Sequence, residues 1–410
     1  MTLGGKRRVI DMKRCFIILT VFALALVLAA GTAFAGAFRI PESGAAAMAQ
    51  GNAFVGQADD PSAVHHNPGA ITGLEGNQFM SGINIVTPSA EFDGTDMKDE
   101  TFYIPYLFYT NHLGEGDWWL GLGVNTPFGL GTEWAQAVFL PAAVTKTSIE
   151  LVKVSPVFAY KASENFSIGF GPEYVKIIEL EYKGALQPGP IIPYSLIGDG
   201  DAWGFTLGGL YEQGDVRIGF AWHSGVTVDL TGDAISFLGS YTGPVAADVK
   251  LPDTYAIGIH YRTSESFSFN VDVDHTQWSD FDKLDIKNGS TGAILKSITE
   301  NWEDVTAIRI GGSYYLDENW TLRAGYLTEP SPLIEASYDP RLPDSDATAI
   351  SVGFGYDKDN FAVNGAFMAV SKDDRVVDSD EPGAPFGTSL YDGTYKASVN
   401  LFSADVTLRF

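Results

Sequence analysis

The sequence of 410 residues predicts an all-β fold: a 14-stranded antiparallel transmembrane β-barrel with an amino-terminal hatch, a plug, inside its lumen. Three observations predict it. After about residue 76 the chain runs in segments of about 10 to 17 residues that alternate apolar and polar side chains, the period of a strand with one greasy and one wet face. The links between these segments are alternately short and long, as they are when one end of a barrel carries tight turns and the other carries surface loops. Past the first 35 residues no stretch is apolar enough to cross a bilayer as a helix. A chain that lives in a membrane must then close its strands, because only helices and closed barrels satisfy every backbone polar group in lipid.

Residues 1–35 read as a secretory signal peptide. Lys6, Arg7, Arg8, Lys13 and Arg14 precede an apolar run from Phe16 to Ala30, and Ala33-Phe34-Ala35 form a small-x-small cleavage site before Gly36. Residues 36–76 do not alternate. They are small and polar, with Gly44, Ala45, Ala46, Ala47, Gly51 and Gly56, then Asp59-Asp60-Pro61 and His65-His66-Asn67-Pro68-Gly69-Ala70. A segment too polar for a core, placed before the first strand, suits close packing inside a lumen; a disordered periplasmic tail is the alternative.

Residues 77–410 supply the barrel. The period-two runs are 77–88, 101–111, 117–127, 147–160, 166–181, 202–211, 216–231, 250–261, 267–279, 303–315, 320–327, 347–356, 361–371 and 397–410. Their number is even, as closed bacterial barrels require. Links 112–116, 161–165, 212–215, 262–266, 317–319 and 357–360 are short and rich in Gly, Asp, Asn and Ser; 89–100, 128–146, 182–201, 232–249, 280–302, 328–346 and 372–396 are long. This alternation places both termini on the periplasmic side. Lipid-facing sets include Val216, Ile218, Phe220 and Trp222, then Ile350, Val352, Phe354 and Tyr356. The last run is the clearest, with Phe402, Ala404, Val406, Leu408 and Phe410 on one face and Ser403, Asp405, Thr407 and Arg409 on the other. Trp203, Trp222, Trp302 and Trp320 at strand ends are expected in the interfacial girdles.

Composition narrows the function. The single cysteine, Cys15, lies in the signal segment, so the mature chain has no thiol chemistry. Removing residues 1–35 leaves 21 Lys and Arg against 50 Asp and Glu, a net charge of −29, which argues against nucleic acid and anionic phosphates as partners.

The sequence resembles the outer-membrane long-chain fatty acid and hydrocarbon transporter family typified by FadL and TodX. The resemblance rests on Gly51-Asn52-Ala53-Phe54 with Asp59-Asp60-Pro61-Ser62 and Asn67-Pro68-Gly69-Ala70-Ile71-Thr72; on Gly121 to Leu130; on Leu251-Pro252-Asp253-Thr254; on Trp278-Ser279-Asp280-Phe281; on Asn301-Trp302-Glu303-Asp304; on Leu322 to Tyr326; and on Pro340 to Asp344. These run in family order over the mature chain. The family's Asn-Pro-Ala turn appears here as Asn67-Pro68-Gly69-Ala70, with either an inserted glycine or a shifted alanine. The resemblance implies a monomeric barrel in the outer membrane of a Gram-negative bacterium, an internal hatch, a ligand pocket above it, and an inward kink in the third strand that opens the wall sideways at Gly123, Asn125 and Pro127.

The function expected is passive transport of hydrophobic small molecules, fatty acids or hydrocarbons, with lateral release. A general diffusion porin, or a structural or adhesin barrel without transport, is the alternative. Two long links are apolar: one carries Trp134, Phe139 and Leu140, the other Ile191, Ile192 and Tyr194, and an exposed apolar patch of this kind marks a binding site. Strand alternation turns Lys153, Arg217, Arg262, Arg309 and Arg323 away from lipid, where they would meet either a ligand carboxylate or lumen acids such as Asp272, Asp274 and Glu173. No catalytic constellation, metal motif or cofactor motif is present: His65 and His66 beside Asp59 and Asp60 read as polar hatch contacts, and the acidic stretches Asp339 to Asp346 and Asp378 to Glu381 read as solvated loops or divalent-cation bridges to lipopolysaccharide. Pro127 removes a ladder donor, and Gly121, Gly123 and Gly129 are expected to weaken the pairing of the third strand.

Overall fold

The computed structural model describes residues 36–135, 138, 142–186, 192–335, 338, 340–378 and 391–410. Fourteen strands form the barrel: β1 (Asn77–Phe92), β2 (Phe102–His112), β3 (Trp118–Asn125), β4 (Ala142–Lys161), β5 (Phe166–Leu186), β6 (Ile192–Gln213), β7 (Val216–His223), β8 (Thr254–Arg262), β9 (Phe267–Thr276), β10 (Val305–Tyr315), β11 (Trp320–Glu329), β12 (Ala347–Lys358), β13 (Phe361–Lys372) and β14 (Gly393–Arg409). Each pairs antiparallel with the next, and β14 returns to β1 over the register Gln78↔Arg409 to Phe92↔Tyr395. Reciprocal backbone bonds between Asn77 and Phe410, 3.1 and 3.0 Å, finish the seam. Closure removes the edges that an open sheet would expose.

The outward faces are the greasy ones. Ile218, Ile257, Ile350, Val352, Phe354, Phe402, Val406 and Leu408 are exposed, while Ser403, Asp405 and Thr407 on the opposite face of β14 are buried. Trp203 and Trp320 are exposed outward. Trp302 is not: it is buried beyond the start of β10 in an inward aromatic cluster, which corrects its expected girdle position. It precedes the strand, so alternation does not fix its direction.

Several links expected as loops are β ribbons. β5 and β6 continue through 182–186 and 192–201, Val226–Phe237 pairs with Tyr241–Leu251, and Lys283–Asn288 pairs with Ile294–Thr299. Above the lipid both faces of a ribbon meet water or protein, so alternation there carries no lipid signal and the strand ends are blurred.

Residues 36–76 lie against the inward faces of the wall. Two four-residue helices, Ala45–Met48 and Ala63–His66, and a 3-10 segment, Pro68–Gly73, are almost wholly buried. Wall carboxylates hold the segment's backbone: Asp272 accepts the amides of Phe54 (2.6 Å) and Val55 (2.8 Å), and Asp405 accepts that of Ala45 (2.7 Å). Asn67 Nδ2 donates to the carbonyls of Val55 and Gly209, both at 3.0 Å. Gly69 has a steric reason, since a β-carbon there would sit 2.9 Å from Gly209 Cα. Backbone meets backbone at this contact, where only glycine fits.

Candidate functional site

The third strand positions the site. β3 pairs regularly with β2 from His112↔Trp119 to Leu107↔Val124 and with β4 from Tyr160↔Trp118 to Lys153↔Asn125. Gly121 and Gly123 therefore do not weaken the ladder as expected; they make room for Val64 of the amino-terminal segment, whose methyls would lie 2.7 and 3.0 Å from the added β-carbons. The break comes after Asn125. Thr126 to Gly129 leave the wall, and Leu130–Glu133 rejoins β4 at Ile149↔Leu130 without pairing to β2 among the described residues. Phe102 to Tyr106 of β2 thus keep a partner in β1 and lack one on the β3 side. Above this window, Lys98 donates its amide to Glu133 O (2.8 Å) and pairs with the Glu133 carboxylate.

The chain that leaves the wall is caught inside it. Ile40 N donates to Pro127 O (2.8 Å) and Gly129 N to Phe38 O (2.9 Å), a short bridge centred on Arg39 and Phe128. Asn125 Nδ2 donates to Ser43 Oγ (2.9 Å). Irregular backbone at membrane depth is tolerated where protein or a cavity takes its polar groups, and here residues 38–43 take them.

Phe38 divides the space above. Its ring packs with Trp278 (4.9 Å between centroids), Trp302 (5.8 Å) and Phe128 (5.9 Å), and Trp302 meets Phe281 at 4.7 Å. On the side of the long links lies an apolar cavity of about 130 Å³, lined by Phe38, Leu180, Leu196, Leu230, Ile286 and Trp302 among others, with Glu300 and Arg341 as its charged members among the described residues. A larger cavity of about 580 Å³ runs between residues 36–42 and the inner faces of β1, β2 and β14. Its lining includes Tyr103 and Ile178, 65% and 54% exposed on the outer surface, so it reaches the window in the wall. Phe38, Leu130, Ile149 and Leu342 line both cavities.

Beneath them is a polar cavity of about 70 Å³. Arg39 Nη1 donates to Asp274 Oδ2 (2.9 Å), and Arg309 Nη2 lies 3.4 Å from the same oxygen and 3.2 Å from Glu329 Oε2. Lys153 Nζ is 2.5 Å from Glu173 Oε1, which His223 Nδ1 also meets at 2.9 Å. His66 Nε2 lies 2.9 Å from Ser43 O within the segment, and His223 Nε2 lies 3.0 Å from His65 O, so His223 joins the segment to the wall.

Residues 26–410 match the family described as Outer membrane protein transport protein (OMPP1/FadL/TodX). The chain belongs to this family. It is 25% identical over 393 aligned positions to the long-chain fatty acid transport protein of Escherichia coli O6:H1, covering 82% of this chain and 87% of that one. It is 27% identical over 435 aligned positions to the 47 kDa outer membrane protein of Pasteurella multocida, covering 95% and 98%. Among solved structures, a FadL homologue of Pseudomonas aeruginosa superposes with a TM-score of 0.79 at 19% identity over 92% of this chain and all of that one. The Ralstonia pickettii toluene transporter TbuX gives 0.69 at 19% identity over 90% and 99%. These two share the fold. This member of the family is an outer-membrane transport protein and not an enzyme.

The residues anticipated from the sequence fall in different places. Gly123, Asn125 and Pro127 lie at or beside the window, and Asn67, Pro68 and Gly69 at the contact with β6. Trp134 is buried beside the cavities and donates from Nε1 to Pro340 O (3.0 Å). Ile192 pairs with Leu186 in the ribbon, and Tyr194 packs on Tyr182 (5.8 Å) and Phe237 (6.1 Å) next to the upper cavity. Phe139, Leu140 and Ile191 lie outside the described residues, as do Asp339 and residues 379–381. Of the cations, Lys153 and Arg309 belong to the polar cavity; Arg217 pairs with Glu212 (2.9 Å), Arg323 donates to Asn364 Oδ1 (3.1 Å), and Arg262 lies over Tyr315, all toward the short-turn end. Sequence reading missed Phe38. The available signal was one aromatic just past the expected cleavage site, ahead of the small residues that begin at Ser43.

Proposed function

We propose that the protein carries hydrophobic small molecules passively across the outer membrane, taking them up between the extracellular ribbons and releasing them sideways into the bilayer through the window between β2 and β3. Relatives named for long-chain fatty acids and for toluene support the substrate class. The observation that carries the reading is an apolar path, from the cavity above Phe38 to a larger one that reaches the outer surface where the ladder lapses. An apolar ligand on this route never has to enter periplasmic water. Residues 36–76 act as the hatch of a monomeric barrel of residues 77–410, closing the direct route below, and cleavage before Gly36 frees the segment's end. The window residues are Gly123, Asn125 and Pro127, with the break itself at 126–129.

Cysteines test the route, since the mature chain has none. The Phe102 ring lies over Gly131, whose β-carbon would fall on it. Phe102→Cys and Gly131→Cys, bridged by a short bis-methanethiosulfonate that forms a disulfide with each thiol and releases methanesulfinate, close the window. Uptake of radiolabelled toluene or oleate by intact cells is expected to fall several-fold and to recover with reductant. Unchanged uptake in the bridged protein would rule out the lateral route.

A further inference from the structure

We infer that the cavity above Phe38 is built for an uncharged hydrophobic molecule and disfavours carboxylates, with Glu300 as the residue that sets this preference. The inference rests on the transport reading above and narrows its substrate class. Among the described residues Arg341 is the cation in that cavity's lining, and Glu300 already answers it: Nη2 lies 3.3 Å from Oε1, with side chains 12% and 6% exposed. The pair is held from behind. Thr132 Oγ1 donates to Arg341 O (2.8 Å), Trp134 Nε1 to Pro340 O (3.0 Å), and Glu300 N to Asp282 O (2.8 Å), while the guanidinium sits 5.6 Å from the Tyr182 ring centroid. A ligand carboxylate arriving here would add a further anion to a guanidinium that Glu300 already answers, inside apolar walls, leaving a buried charge uncompensated. A ring, an alkyl chain or a hydroxyl meets no such penalty.

The rest of the route is no kinder to an anion. The larger cavity presents Arg39 and Lys372 against Glu42, Glu150 and Glu329. Arg39 is taken by Asp274, and Lys372 by Asp344 at 2.5 Å. An ammonium at Gly36 would stand against the Glu329 carboxylate, on which Gly36 packs. Glu150 is exposed beside the window, on the β4 stretch that skips its β3 partner, so a departing carboxylate would pass a like charge. Size agrees with the chemistry. At about 130 Å³ the upper cavity is close to the roughly 150 Å³ apolar cavity that stays dry and takes benzene, so one ring or the end of an alkyl chain fills it.

Radiolabelled 1-dodecanol and dodecanoate discriminate. Both are titrated onto the protein in lipid nanodiscs at about pH 8, where the acid is ionised in water, with empty nanodiscs subtracted for partition. The wild-type protein is expected to bind the alcohol about tenfold or more tighter than the acid, and Glu300→Gln to shift that ratio about tenfold toward the acid. In the double variant Glu300→Gln with Arg341→Met, the shift should disappear. Wild-type binding of dodecanoate as tight as that of dodecanol would overturn the inference and leave the transport reading standing. An unchanged ratio in Glu300→Gln would remove Glu300 from the role. Binding of neither ligand above the empty discs would overturn the transport reading itself, and this inference with it.

Discussion

Ile40 donates its backbone N–H to the carbonyl of Pro127 across 2.8 Å, joining the segment that precedes the barrel to the point where the third strand leaves the wall. Pro127 has no N–H to give a neighbouring strand, and its carbonyl, turned inward, finds its donor in a segment that is not part of the sheet. The break in β3 and the position of Phe38 are therefore one structural unit, because Gly129 returns a bond to Phe38 O.

Ile40→Pro should loosen this unit. It removes one donor, worth about 1 kcal/mol net, and leaves the barrel ladders untouched. Hydrogen exchange at Gly129 is expected to quicken while exchange within β12 to β14 stays unchanged. Full protection at Gly129 in the variant would mean that the β3 sequence alone sets the inward turn.

Asp272→Ala should detach part of the amino-terminal segment without unfolding the wall. Two buried amides, Phe54 and Val55, lose their acceptor, at about 1 to 3 kcal/mol for each unsatisfied group. Protease sensitivity is expected to rise around residues 51–58, with the heat-modifiable gel shift of the barrel preserved. Asp272→Asn, which keeps one acceptor oxygen, should fall between the two.

The wall was legible because lipid imposes a period-two code on it. β14 shows Phe402, Val406 and Leu408 outward and Ser403, Asp405 and Thr407 inward, and the sequence says as much without help. The ribbons at 182–201 and 232–249 carry no such code, since neither face of a strand above the bilayer must be greasy. The cavity was less legible still. Gly123 reads locally as a weak point in a strand, and its purpose appears only when Val64, 59 positions earlier, is seen to pack on it. Trp302 and Phe38 meet across 264 positions, a contact no periodicity reports.

Acidity should tighten the rim next to the larger cavity, whose lining includes Pro343, Ala347 and Lys372. Burial, then the neighbouring Asp373 carboxylate, pushes Asp346 up to about 6 from its ordinary value, with Arg375 opposing. A carboxyl raised in the folded state contributes stability when protonated and loses it as pH rises toward and through 6. Amides of 341–346 and of Asp373, whose N–H donates to Asp346 O (2.7 Å), are expected to exchange more slowly at about pH 5 than at about pH 7.5 after correction for the intrinsic rate. Asp346→Asn should abolish the difference. A pH difference of the same size in that variant would assign it to other groups.

Phe38→Ala should convert two cavities into one. The ring is 4% exposed and seated among Trp278, Trp302, Phe281 and Phe128, and it lines both the 130 Å³ and the 580 Å³ spaces. Removing a buried Phe costs about 3 to 5 kcal/mol in a packed core. Here that cost falls on the docking of residues 36–42 rather than on the barrel, whose strands pair without Phe38. A ligand held above the ring would then have an open floor, so its dwell time is expected to shorten, while passage to the window speeds up. Dissociation of a radiolabelled hydrocarbon from the purified protein reports the first effect and uptake by cells the second. Faster dissociation with unchanged or faster uptake identifies Phe38 as the partition between capture and release. Unaltered dissociation would show that the ribbons, and not the aromatic floor, hold the ligand.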